Sequence, residues 1–119
     1  MSISFGEEEI GPGETLHGTL AVTYPGRFDS VVISSQIENA NRTFLFETLN
    51  EKKVRQPYSR ISIFKSELPD IHHVTFTAST QHVPEGDFSI AKFRATVIQE
   101  HKEVAAQIAR IKVIRKAAT

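Results

Sequence analysis

Residues Gly11 to Tyr24, GPGETLHGTLAVTY, decide how the rest of the chain is read. Gly11-Pro12-Gly13 combines the positive-φ freedom of glycine with the fixed φ of proline, the two requirements of a tight turn. After it, Leu16, Gly18, Leu20, Val22 and Tyr24 occupy alternate positions, with His17, Thr19, Ala21 and Thr23 between them. A period of two sends these sets to opposite faces of a pleated strand, one dry and one wet.

The same period recurs on both sides of this stretch. Ser2 to Glu9 reads as a first strand with Ile3 and Phe5 facing in, and Pro25-Gly26 suits the centre of a type II turn. Phe28 to Asn39 sets Val31, Ile33 and Ile37 on one face, and Asn39 to Arg42 is a polar turn. Thr43 to Leu49 has Phe44 and Phe46 on one face and Leu45 and Leu49 on the other, which suggests an interior or covered strand. Asn50 to Pro57 is the most polar segment and is expected to be an exposed loop. Tyr58 to Lys65 follows as a strand burying Ile61 and Ile63, and Leu68-Pro69-Asp70 is a break. Ile71 to His82 and Ile90 to Glu100 are strands separated by a turn over Val83 to Phe88, the second with Phe93, Ala95 and Val97 on one face. The segment 104–115 carries two spacings at once. Val104, Ile108 and Ile111 fit a helix, whereas Ile111 and Val113 interleaved with Arg110 and Lys112 fit a strand, the reading taken here. Eight short strands, regular turn signals and no βαβ alternation predict an all-β fold. The expected form is an antiparallel, immunoglobulin-like β-sandwich of seven to eight strands.

At 119 residues the chain has the length of one domain, expected to span 1–119. It contains no cysteine, so burial and sheet hydrogen bonds must hold the fold without disulfides or thiolate metal sites. No apolar run is long enough to span a bilayer as a helix, and residues 1–9 lack the basic and apolar regions of a secretory signal; the default expectation is cytoplasmic. The zero net charge hides a division: residues 1–51 hold eight acids and two arginines, residues 52–119 twelve bases and six acids. Such a division fits self-association, a basic face for an anionic partner, or two oppositely charged halves that pair within one sandwich, the reading taken here.

The run Pro12-Gly13-Glu14-Thr15-Leu16-His17-Gly18-Thr19-Leu20 resembles the early strand signature of arrestin-like domains, in which a Pro-Gly-Glu turn leads to a glycine in the next strand. Val31 to Glu47 is similar to that family's following strand pair. Val74-Thr75-Phe76, then Val83-Pro84, then Ile90 to Val97 are similar to its late pattern. The resemblance implies a seven- or eight-stranded sandwich serving as a non-catalytic scaffold or adaptor, as in arrestins, the arrestin-like retromer subunit and sporulation-control proteins. Arrestins use two such domains and this chain has length for one, so none of their functional residues is carried over.

The five histidines, His17, His72, His73, His82 and His101, include no His-x-His or His-x-x-x-His spacing, and the adjacent pair on a strand points to opposite faces. No metal and no cofactor is expected. Neither a G-x-S-x-G elbow nor a nucleotide-binding glycine motif occurs, and Glu7 to Glu9 lack the interleaved loop of a calcium site. The chain is therefore expected not to be an enzyme. A turn centred near Lys102 would set Lys92 opposite Lys112 and Arg94 opposite Arg110, crowding four cations on one face as a candidate surface for an anionic partner. The function expected is a protein-interaction module with a protein partner, including a homodimer through a sheet edge. The alternative is a small-ligand or metal-binding sandwich, enzymatic in one version, in which histidines converge. Nucleic-acid binding is not expected, because the basic stripe has little aromatic interleaving.

Overall fold

The computed structural model describes residues 1–67 and 72–115; the side chains of residues 55–58 and 67 lie outside that description, as does the expected break at Leu68-Pro69-Asp70. Ten strands are described, β1 (Ser2–Phe5), β2 (Glu9–Ile10), β3 (Leu16–Ala21), β4 (Ser30–Ile37), β5 (Leu45–Leu49), β6 (Lys52–Tyr58), β7 (Arg60–Phe64), β8 (His73–Ser79), β9 (Phe88–Gln99) and β10 (Lys102–Ile114), with one 3-10 turn at Lys65–Glu67. They form two five-stranded sheets, ordered β1-β3-β8-β5-β6 and β2-β10-β9-β4-β7.

The alternation that predicted strands also builds the core. Leu16, Leu20 and Val22 from β3 and its continuation meet Val31, Ile33 and Ile37 of β4 and Phe93, Ala95 and Val97 of β9, all buried. Phe44, Phe46, Phe76 and Phe93 fill the space between the sheets. The turn opening β3 is type II: Gly13 has φ 79°, and the Glu14 amide donates to the Gly11 carbonyl at 3.2 Å.

Four features differ from the expectation. The first strand breaks at Gly6, whose amide donates to the His17 carbonyl. The chain then crosses sheets, and Glu9–Ile10 pairs with Lys112–Val113 in parallel, so the second sheet is mixed and the strand count is ten. The polar segment after Asn50 is strand β6 instead of a loop. Asn50 and Glu51, with φ of 49° and 69°, turn the chain through 180° and β6 pairs with β5 at the sheet edge, where polar residues belong. Gly26 is not in the positive-φ region a type II turn requires there; a Cβ on it would lie 2.8 Å from the Tyr24 ring, so the glycine admits that ring. Of segment 104–115, residues 104–114 are strand, within β10.

The β9–β10 hairpin closes through Glu100 and His101, with φ of 49° and 65°. Two consecutive left-handed residues make the turn type that matches strand twist, but neither side chain favours that region. Replacing Glu100-His101 by Asn-Gly is expected to raise stability by roughly 1–2 kcal/mol, because the new pair adopts those angles at lower cost. Urea unfolding checks this; an unchanged or lower midpoint would show that the native pair is not strained.

Candidate interaction surface

The outer face of the second sheet carries all four cations singled out by sequence, but in a different register. Arg110 lies opposite Lys92, Arg94 opposite Ile108 and Lys112 opposite Ile90. The pairing is displaced by two residues because the hairpin turns at Glu100-His101 and β10 carries a bulge between Glu103 and Ala105. The expected pairs Lys92–Lys112 and Arg94–Arg110 do not form, and one like-charged pair, Arg110–Lys92, stands directly opposed.

Acids of this same chain meet most of the stripe. Arg94 makes a bidentate bridge to Glu103, at 3.1 and 2.8 Å. The Glu103 hydrogen bond raises the Arg94 pKa, and the Arg94 hydrogen bond holds the Glu103 carboxyl below the usual glutamate range. Both groups are solvated, so the pair orients side chains more than it stabilises the fold. Arg110 reaches Glu38 at 3.7 Å, and the Lys112 ammonium sits 4.6 Å from the Phe88 ring centroid with Glu9 beside it in register. Among the described residues Lys92 alone of the four has no charged or aromatic partner. The same face holds Ile90, Ile98 and Ile108, so the face combines apolar and paired charged groups.

The signal that sequence reasoning missed is on the edge of this sheet. β10 runs for thirteen residues, yet β2 covers only Lys112 and Val113 of its outer side. From Lys102 to Ile111 no described strand pairs with that edge; the Gln107 side-chain Nε2 donates weakly to the Ile108 carbonyl at 3.5 Å. Val104 to Ala109, VAAQIA, carries no charge and no proline, the devices that normally blunt an edge. By contrast β6, at the edge of the other sheet, contains Lys52, Lys53, Arg55 and Pro57. β1 lies beside β10 across the mouth of the sandwich, and its Ile3 and Phe5 are only half buried against the core, together with Val104 and Ala105. A shallow apolar lip therefore runs along the open backbone.

Elsewhere, the described histidines do not converge on one site, and His73 opens β8 beside His72. His17 pairs with Glu7 on the other sheet, His72 packs edge-on against Phe28, His82 meets Ser89 at one end and His101 tops the β9–β10 hairpin. No group of three or more His, Asp or Glu close enough to hold a metal occurs among the described residues. Burial pushes the Glu7 carboxyl up, but the His17 amide, 2.7 Å away, and imidazole, 2.8 Å away, outweigh it and the pKa falls below the usual range. No described helix is long and apolar enough to cross a membrane.

No family model matches the chain. No curated protein matches it either. Among solved structures, the chain is similar to self-complemented MyfA, the major subunit of Myf fimbriae from Yersinia enterocolitica, with a TM-score of 0.49, 12% identity, and 98% of this chain and 100% of that one covered. It is also similar to AvmM, which catalyses macrocyclization in alchivemycin A biosynthesis, with a TM-score of 0.44, 12% identity and coverage of 99% and 90%. A third likeness is to the reeler domain of human F-spondin, with a TM-score of 0.39, 15% identity and coverage of 97% and 80%. The three differ in function, and at these scores none bears on what this chain does.

Proposed function

We propose that the chain is a non-catalytic interaction module that binds by strand addition along β10, and that its partner there is a second copy of itself. The supporting observation is the uncharged, unpaired edge Val104 to Ala109. Backbone groups on an open edge give affinity without a pocket, and alternate side chains of the added strand give selectivity. The edge is also self-complementary in charge: Glu103 lies at its start, Arg110 at its end, and nothing charged lies between. Two copies of β10 run antiparallel about a two-fold axis bring the acidic start of each toward the basic end of the other. The resemblance to arrestin-like domains points to the same class of role.

Sedimentation over a concentration series tests the reading with wild-type protein and with Ala106→Lys/Ile108→Lys. Both positions are exposed, Ile108 by 40%, so the substitutions leave the core intact. Wild type is expected to dimerise, and the variant to dissociate at least roughly tenfold more readily, because lysines from the two copies face one another across the axis. A wild type that stays monomeric, or a variant that dimerises as well as wild type, rejects strand addition at this edge.

A further inference from the structure

We infer a binding site for a small organic oxyanion, a carboxylate or a phosphate, in the cleft at the end of the sandwich opposite the Glu100-His101 hairpin. The β4–β5 connection and the segment after β8 enclose there a cavity of about 370 Å³ whose lining includes Arg42, His82, Asn41, Gln81 and Thr43. The lining contains no carboxylate. A guanidinium, an imidazole, two amides and a hydroxyl around a space of this size suit a polar anion. Arg42 carries no ion pair among the described residues, unlike Arg94 and Arg110.

The adjoining hollow supplies the contrast. It shares Asn41, Arg42 and His82 but is also lined by Glu38 and Glu85, and its volume is about 440 Å³. Acids on that side repel an anion, so the first cavity is the favoured seat and Arg42 lies at the boundary. Leu45, 45% exposed, provides an apolar patch for a carbon skeleton.

The walls are already tied together. The Thr80 hydroxyl donates to the Thr43 carbonyl at 3.2 Å and accepts from the His82 amide at 3.2 Å. The His82 Nε2 lies 3.2 Å from the Ser89 hydroxyl, and the Ile37 amide donates to the Arg42 carbonyl at 3.0 Å. A ligand therefore meets a site whose backbone needs little ordering, which lowers the cost of binding. The site is independent of the β10 edge, so either proposal can fail alone.

The experiment is a titration of ¹⁵N-labelled protein followed by amide chemical shifts, with glucuronate as the carboxylate probe, glucose 6-phosphate as the phosphate probe and glucose as the neutral control. At least one anion is expected to give saturable shifts at Arg42, Thr43, Gln81 and His82 by ~20 mM, and glucose none. Which anion binds decides between carboxylate and phosphate. Arg42→Gln is expected to weaken binding by at least roughly tenfold, and Lys92→Gln to leave it unchanged. Gln81→Leu, at an exposed position, provides a second weakened variant should Arg42→Gln unfold. Equal shifts with glucose, anion shifts confined to β9 and β10, or undiminished binding by these cleft variants overturns the assignment.

Discussion

Gly18→Ala will destabilise the protein by about 3 kcal/mol, although alanine is ordinarily the better strand residue and would gain roughly 0.5–1 kcal/mol from reduced chain entropy. Gly18 in β3 lies directly opposite Phe76 in β8. The Phe76 ring folds across the glycine, so an added Cβ would fall 2.6 Å from its Cε1 and closer still to Cζ and Cε2. The ring cannot swing aside. It is wedged edge-on against Phe46 at 5.4 Å and stacked on Phe93 at 6.2 Å, with only 2% of its surface exposed. Overpacking of this kind costs roughly 1–3 kcal/mol and occasionally more, a large part of the total stability of a small domain. Urea unfolding measures the loss, and a double-mutant cycle with Phe76→Leu identifies its cause. The smaller side chain makes room, so the pair should lose less than the sum of the singles. A loss under about 1 kcal/mol, or strict additivity, removes the steric account.

Gly18 also shows how much of this architecture was legible in the residues. Its place on the dry face of β3 follows from spacing alone, and so does the alternation that buries Leu16, Leu20, Val31, Ile33, Phe93 and Val97. The tight turn at Gly11-Pro12-Gly13 is legible too, because glycine and proline supply the backbone angles it needs, though its type comes from the structure, and Pro25-Gly26, which reads as a type II turn, lacks the positive φ for one. What could not be read depends on neighbours distant in sequence. Lys52 to Tyr58 has no apolar face of its own, and it is a strand because β5 offers it an edge. Glu9–Ile10 is too short to show a period, and pairing with β10 defines it. Glu100 and His101 carry no glycine or asparagine to announce a turn, so spacing alone centres the hairpin near Lys102 and sets the cationic residues against partners the fold does not give them. The end cleft is the extreme case. Arg42 and His82 are forty positions apart and form no motif; only the closing of β5 onto β8 brings their segments together.

Phe93→Ala is expected to cost more than any other single truncation of the aromatic core, about 3–5 kcal/mol. Phe93 is fully buried in β9, and its ring centroid lies 5.1 Å from that of Phe44, 5.2 Å from Phe5, 6.0 Å from Phe46 and 6.2 Å from Phe76. Phe5, Phe46 and Phe76 belong to the first sheet and Phe93 to the second, so this one ring is where the two layers grip each other. Truncation leaves a cavity that four rigid rings cannot collapse into, and the loss approaches the upper end of the range. Phe5→Ala removes a ring of the same size from a half-buried position on edge strand β1, where water can replace it, so its cost should be well under that of Phe93→Ala. Phe93→Leu keeps most of the volume and should cost less than Phe93→Ala by at least about 1 kcal/mol. Equilibrium unfolding of the three variants ranks them. If Phe5→Ala proves as damaging as Phe93→Ala, the sheets are held together at the β1 lip and not through the centre, and the lip could not then yield to an added strand. The ranking of these two truncations thus also bears on whether the mouth beside β10 is loose enough to accept a partner.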